Sequence, residues 1–179
     1  MNKSEIRKKI LKIRKQKSSK RLNINFQYLL KILKKNKNIG KVIGGYYPYN
    51  YEVDAIEVLT NLEKQNYQIS LPKIKKNSQM DFFCWSSKDP LEINKYGIPE
   101  PTSDKMIVPN ILLVPLVAFD KNCNRIGYGG GFYDRYIKKI KKIKKIVTIG
   151  LAYSFQRINQ IPADKYDVKL DFIVTNKKN

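Results

Sequence analysis

Residues 125–136 read RIGYGGGFYDRY, with four glycines within the five positions Gly127 to Gly131. The segment follows the apolar run Ile111 to Phe119 and precedes a stripe of Tyr133, Tyr136, Ile137 and Ile140 at helical spacing. Strand, glycine loop, helix is an arrangement that can cradle phosphate. Glycine lets backbone N–H groups approach an oxyanion closely, and a helix N-terminus faces it with roughly half a positive charge. The segment matches neither G-x-x-x-x-G-K-[ST] nor G-x-G-x-x-G, since Phe132 stands where the last glycine of the second pattern belongs. A tight turn without a ligand is the competing reading. Asp134 falls in the first helical turn, as a cap or as a magnesium ligand against phosphates seated on the loop. Arg125 just before the loop, and Lys3 and Arg7 one helical turn apart, are cations that can serve a triphosphate or simply face solvent.

Working outward, Ile6, Ile10 and Ile13 predict a basic amphipathic helix over 3–17, and Phe26, Leu29, Leu30 and Leu33 a second helix ended by 36–40. A strand is expected at Val42 to Tyr47. Asp54 and Glu57 then imitate a capping box before a third helix that buries Ala55, Val58, Leu59 and Leu62. Further strands are expected at Ile69 to Leu71, Phe82 to Trp85, Ile111 to Phe119, Ile146 to Leu151 and Phe172 to Val174. Trp85, Phe82 and Phe83 read as strand core. Between Phe82 and Ile111, Pro90, Pro99, Pro101 and Pro109 predict a long functional loop. The alternating Ile and Lys of Ile137 to Ile146 read as a continuing helix with a solvated face. The alternation of strands and helices predicts one three-layer α/β domain over 1–179. Its sheet is expected to be open and mostly parallel, with helices on both faces and ligands at the C-terminal strand ends.

The 36 basic against 15 acidic residues give a net charge of +21, which raises nucleic acid or an anionic membrane as a partner. Few of those cations are Arg, the residue most suited to bidentate phosphate recognition, and the abundance of Lys, Asn and Ile fits an AT-rich coding bias. No histidine is present, so Ser-His-Asp triads, histidine metal clusters and H-E-x-x-H sites are excluded. Cys84 and Cys123 form no C-x-x-C pattern and no disulfide framework, which fits a reducing cytoplasm. Neither a membrane span nor a secretory signal is read in the sequence.

PLVAFDKNCNRIGYGGGFYDRY (Pro115 to Tyr136) closely resembles the signature of the 5-formyltetrahydrofolate cyclo-ligase family, also called 5,10-methenyltetrahydrofolate synthetase. K-x-x-x-R at Lys3 to Arg7, YEVD at Tyr51 to Asp54, YGIPEP at Tyr96 to Pro101, GLAYSFQ at Gly150 to Gln156 and DVKLDFIVT at Asp167 to Thr175 agree in order, so the resemblance spans the chain. It implies ATP- and Mg2+-dependent closure of 5-formyltetrahydrofolate, free or polyglutamylated, to the 5,10-methenyl product.

By motif, ATP is expected on Lys3, Arg7, Arg125, Ile126, Gly127, Tyr128, Gly129, Gly130, Gly131, Phe132 and Tyr133, with Arg125 and Tyr133 as catalytic candidates. Folate is expected on Glu52, Tyr128, Gly129, Gly130, Gly131 and Phe132, with Tyr47, near Glu52 in sequence, as a further stacking or hydrogen-bonding contact, and magnesium on Asp134 and Asp167. A pterin's guanidine-like edge offers two donors to one carboxylate, which suits Glu52; a solvated loop carboxylate is the alternative there, and a turn cap at Asp167. Two positions depart from the family pattern: Cys123 stands where a turn glycine is common, and Tyr166 where histidine often precedes the metal-site aspartate. A cytoplasmic monomer without an obligate protein, membrane or nucleic-acid partner is expected. The competing classes are a nucleic-acid-binding protein, resting on charge alone, and a nucleotide-dependent enzyme of another substrate, which a pterin-reading Glu52 would separate from the folate cyclo-ligase.

Overall fold

A computed structural model describes residues 1–18, 22–76, 79–162 and 164–177. Helix α1 (Lys3–Gln16) begins at Asn2, whose side chain accepts the Glu5 N–H while the Glu5 carboxylate accepts the Asn2 N–H, so two open donors are satisfied reciprocally. It buries Ile6, Ile10 and, against the amphipathic pattern, Arg14. Helix α2 (Phe26–Lys35) buries Leu29, Ile32 and Leu33 and leads through a short 3-10 turn into strand β1 (Val42–Gly44). Helix α3 (Ala55–Glu63) starts at Asp54, which accepts the Glu57 N–H at 3.1 Å.

Strands β2 (Gln68–Ile74) and β3 (Met80–Cys84) form an antiparallel pair. Strands β4 (Leu91–Ile93) and β5 (Pro99–Pro101) form a separate hairpin inside the stretch expected to be a loop. The prolines are tolerated because a two-stranded ribbon consists of edges and needs few ladder donors. Its turn carries Asn94, whose side chain accepts the Tyr96 and Ile98 N–H groups, and Gly97 at φ 74°.

The expected strand Ile111 to Phe119 divides into β6 (Ile111–Pro115) and β7 (Ala118–Phe119), the latter pairing with β8 (Arg125–Ile126). Helix α4 (Phe132–Lys141) is shorter than expected, and its isoleucines are not a solvated face. Ile137 and Ile140 are buried, Ile143 is exposed beyond the helix end, and Ile146 is buried leading into β9 (Val147–Leu151). Strand β10 (Phe172–Val174) completes the set.

The main sheet has the order β10-β9-β6-β1-β2-β3, parallel except for β3. Alternate residues of one strand face opposite cores. Ile111 and Leu113 pack with α2 and α3 on one face, whereas Leu112 and Val114 pack with α4 on the other. Helices therefore cover both faces, as expected, while α1 packs at one end against Val117, Ala118 and Ile126. From β1 the chain moves outward to β2 and β3, then returns on the other side with β6. The C-terminal ends of β1 and β6 consequently flank a topological switch point, where their exits diverge and leave a crevice.

Candidate active site

A cavity of about 830 Å3 opens at this crevice, a volume within the usual range for small-molecule sites. Its walls include every site residue singled out from the sequence: Lys3 and Arg7 from α1, Tyr47 and Glu52 from the β1 exit, Arg125 through Asp134 from β8 and the α4 start, and Asp167. The β4–β5 hairpin adds Asn94, Tyr96, Ile98 and Pro99, so the proline-rich stretch does reach the site.

The glycine loop joins β8 to α4 through backbone that larger residues resist. Gly129 has φ 105° and Gly131, the α4 N-cap, φ 65°. A Cβ at Gly129 would sit 3.6 Å from the Arg7 guanidinium carbon, an ordinary contact, so the left-handed backbone rather than lack of space calls for glycine there. Arg7 Nε donates to the Gly127 carbonyl at 2.7 Å, fixing one cation beside the loop.

Asp134 is not the helix cap. Its Oδ1 accepts Arg125 Nη2 at 2.9 Å and the Val168 N–H at 3.0 Å, while Arg125 Nη1 donates to the Val168 carbonyl. Arg125 thus ties the Asp134 carboxylate to the segment holding Asp167, and part of its guanidinium is already engaged. Asp167 is also paired: its Oδ2 accepts Lys3 Nζ at 2.6 Å and the Asp164 N–H at 2.8 Å, and Asp164 takes a second Lys3 bond at 3.0 Å. Partial burial lowers the Lys3 ammonium pKa, but the two carboxylates outweigh it and the net shift is upward.

The opposite wall is built by a strained turn. Asn50 and Tyr51 have φ of 50° and 60°, an unusual pair for non-glycine residues and costing on the order of 1 kcal/mol or more each. The Glu52 N–H donates to the Tyr49 carbonyl at 3.2 Å, and the Tyr49 N–H donates to Glu52 Oε2 at 2.9 Å. The carboxylate is folded inward; Glu52 is only 9% exposed, not a solvated loop residue. Burial pushes its pKa up to about 7, with the Tyr49 N–H and the Arg14 charge pulling partly back.

Tyrosines surround this carboxylate. Tyr46 donates to the Val53 carbonyl at 3.3 Å, Tyr153 to the Glu52 carbonyl at 3.3 Å, and the Tyr128 ring meets Tyr49 edge-on at 5.8 Å. Burial and the Glu52 charge push the Tyr128 hydroxyl to about 12. The Tyr133 hydroxyl feels both Glu52 and Arg125, lies out of solvent, and has no hydrogen-bond partner among the described residues. An orphaned hydroxyl between the two walls is a donor in want of an acceptor.

Sequence reasoning missed Tyr49, Tyr96, Asp164 and Arg14. Asp164 lies three residues before a quoted motif and Tyr96 opens another, but only the fold brings them to the cavity. Arg14 had a readable signal, because positions 3, 7 and 14 fall within about 40° of one another at 100° per residue. The two departures from the family pattern also resolve. Cys123 has φ 59°, the left-handed backbone that explains the usual glycine, and Tyr166 borders the cavity beside Asp167.

Residues 1–176 match the family model described as the 5-formyltetrahydrofolate cyclo-ligase family. The chain is 32% identical to the 5-formyltetrahydrofolate cyclo-ligase of Haemophilus influenzae, over 80% of this chain and 79% of that protein. It is 32% identical to that of Mycoplasma pneumoniae, over 99% of this chain and 100% of the relative. Its fold is similar to the 5,10-methenyltetrahydrofolate synthetase structure from Aquifex aeolicus, with TM-score 0.79 and 31% identity over 99% of this chain and 91% of that one. A match across nearly the whole length, on a chain whose motif residues converge on one cavity, carries one conclusion: this chain belongs to the 5-formyltetrahydrofolate cyclo-ligase family.

Proposed function

We propose that the protein converts 5-formyltetrahydrofolate to 5,10-methenyltetrahydrofolate, cleaving ATP to ADP and phosphate. The observation that carries this reading is the two-sided cavity, with a glycine loop and cations on one wall and a buried, inward-folded carboxylate on the other. The first wall suits a triphosphate. The second suits a pterin edge, whose two donors meet one carboxylate in a bidentate pair.

A formamide carbon is a poor electrophile, so the formyl oxygen must become a leaving group. The γ-phosphoryl group passes to that oxygen and ADP departs; N10 then attacks the formyl carbon, loses its proton, and the phosphorylated oxygen leaves as inorganic phosphate. Such a reaction depends on positioning and charge, which this chain supplies without histidine. In this reading Lys3, Arg7 and the loop N–H groups hold phosphates, Glu52 and Tyr47 orient the pterin, and Tyr128 to Phe132 border both ligands. Tyr133 offers its unpartnered hydroxyl to the reacting oxygen. Arg125 keeps Asp134 aimed while balancing charge.

The donor set fits magnesium. Asp134 and Asp167 are both partly exposed, and the described residues hold no cluster of three or more metal-ligating side chains. Two carboxylates suit a cation that takes its remaining ligands from phosphate and water. Bound there, magnesium would supply charge neutralisation for the phosphates, and Lys3, which pairs with Asp164 and Asp167, would add a second positive charge on the same wall.

The test is near-ultraviolet absorbance of protein mixed with 5-formyltetrahydrofolate and magnesium ATP. A methenyl band requiring both ATP and magnesium is expected. Absence of the band while ATP binds would remove the folate assignment, and absence of ATP binding would remove the phosphate-loop assignment.

A further inference from the structure

Arg14 is the unexplained residue of this molecule. It is 1% exposed, among the largest fully buried side chains, yet it does not line the cavity. One arm, Nη1, donates to the Leu116 carbonyl at 3.3 Å, and the other, Nη2, donates to the Tyr128 hydroxyl. The guanidinium carbon stands 5.6 Å from the Tyr128 ring centroid, and Nε has no partner among the described residues. Burying a cation with an open donor disfavours folding, and an apolar residue of similar volume often serves stability as well or better. Leu116 does not require it, because Gln156 Nε2 already donates to the same carbonyl at 2.9 Å.

Its position supplies the reason. Helix α1 brings Lys3 and Arg7 to the phosphate wall, and two turns beyond Arg7 it brings Arg14 behind the folate wall. Arg7 and Arg14 grip consecutive residues of the glycine loop, Gly127 and Tyr128. Tyr128 in turn donates to the Tyr49 carbonyl at 3.4 Å and packs edge-on against Tyr49, whose N–H holds Glu52. The Arg14 charge is also felt at Glu52, Tyr46 and Tyr153.

We propose that Arg14 is a positioning residue that anchors Tyr128 from behind and, through Tyr128 and Tyr49, holds the Glu52 turn in register with the phosphate wall. The inference rests on the reading of the Glu52 side as the folate side. It makes α1 one rigid bar that sets the two walls relative to each other, so loss of Arg14 loosens the folate side without removing any ligand-contacting group.

The experiment measures KM for 5-formyltetrahydrofolate and for magnesium ATP, with thermal stability, in full-length Arg14→Met, Arg14→Lys, Tyr128→Phe, Glu52→Gln and the double variant Arg14→Met/Tyr128→Phe. Arg14→Met is expected to raise the folate KM about tenfold and the ATP KM less than about threefold, with a Tm at or above that of the parent. Arg14→Lys, a charge without the second arm, is expected to fall between them. The double variant is expected to be no worse than the more impaired of the two single variants, since both substitutions break one linkage.

An unchanged folate KM in a folded Arg14→Met protein, or losses that multiply in the double variant, would overturn the proposal. If Arg14→Met does not fold, Arg14→Lys and Tyr128→Phe decide, and parental folate KM in both overturns it. If instead Glu52→Gln leaves the folate KM unchanged, the reading of that wall fails, whatever Arg14 does.

Discussion

Glu52 shows most clearly that a side chain can serve function against stability. Its carboxyl pKa is raised by burial from 4.5 to about 7, so the folded protein holds a proton that the unfolded chain releases. The sign follows: stability is unaffected below about pH 4.5, falls as pH rises through 7, and is reduced by up to about 3 kcal/mol above that. Glu52→Gln should therefore raise the melting temperature by about 6 to 12 °C at pH 8, with the gain shrinking toward pH 5, while folate turnover collapses. A scan of melting temperature against pH checks this, and a gain that does not vary with pH contradicts it. Asp134 has the opposite character. Removing it takes the buried Arg125 charge from its carboxylate partner, so Asp134→Ala confounds folding with function, whereas Asp134→Asn keeps an acceptor for Arg125 and removes the charge. We expect Asp134→Asn to stay folded by circular dichroism and to lose at least 100-fold in magnesium-dependent turnover; undiminished turnover takes Asp134 out of the metal site.

At the scale of elements, the glycine loop was legible because its requirement is local. A backbone that turns left-handed at positions 129 and 131 selects glycine directly, and the helix after it declares itself by the spacing of Tyr136, Ile137 and Ile140. The β4–β5 hairpin was not legible, since its pairing joins segments separated by a turn whose prolines argue against strand. The division of Ile111 to Phe119 was equally hidden, because a uniformly apolar run gives no period at which to cut it. Nor could α4 be ended correctly, as the Ile and Lys repeat continues past the point where the sheet stops offering a surface. The turn at Asn50 and Tyr51 escaped notice for another reason: nothing in the residue types marks a left-handed tyrosine. Gly131→Val places a β-branched side chain at φ 65°, and should cost about 2 kcal/mol by denaturant unfolding and weaken ATP binding more than folate binding. An unchanged ATP affinity in that variant would detach the α4 N-terminus from the phosphates.

For the whole molecule, the order β10-β9-β6-β1-β2-β3 converts a linear series of motifs into two facing walls. Residues from positions 3 to 167 meet at one crevice because β1 and β6 are neighbours that exit in different directions. The alternation of strands and helices already implied such a crevice, and the family resemblance supplied its chemistry. The sequence could not reveal how the cations are shared, with Lys3 on Asp167, Arg125 on Asp134 and Arg14 behind Tyr128.

In the proposed reaction the cavity joins phosphate transfer to ring closure at one oxygen atom. The most direct measurement is a single-turnover reaction of 5-formyltetrahydrofolate carrying 18O in its formyl group, with magnesium ATP, followed by mass analysis of the inorganic phosphate. The label is expected in phosphate, one 18O for each methenyl group formed. Methenyl product accompanied by unlabelled phosphate, with the 18O in water, would contradict it, because the formyl oxygen would then have left without ever being phosphorylated.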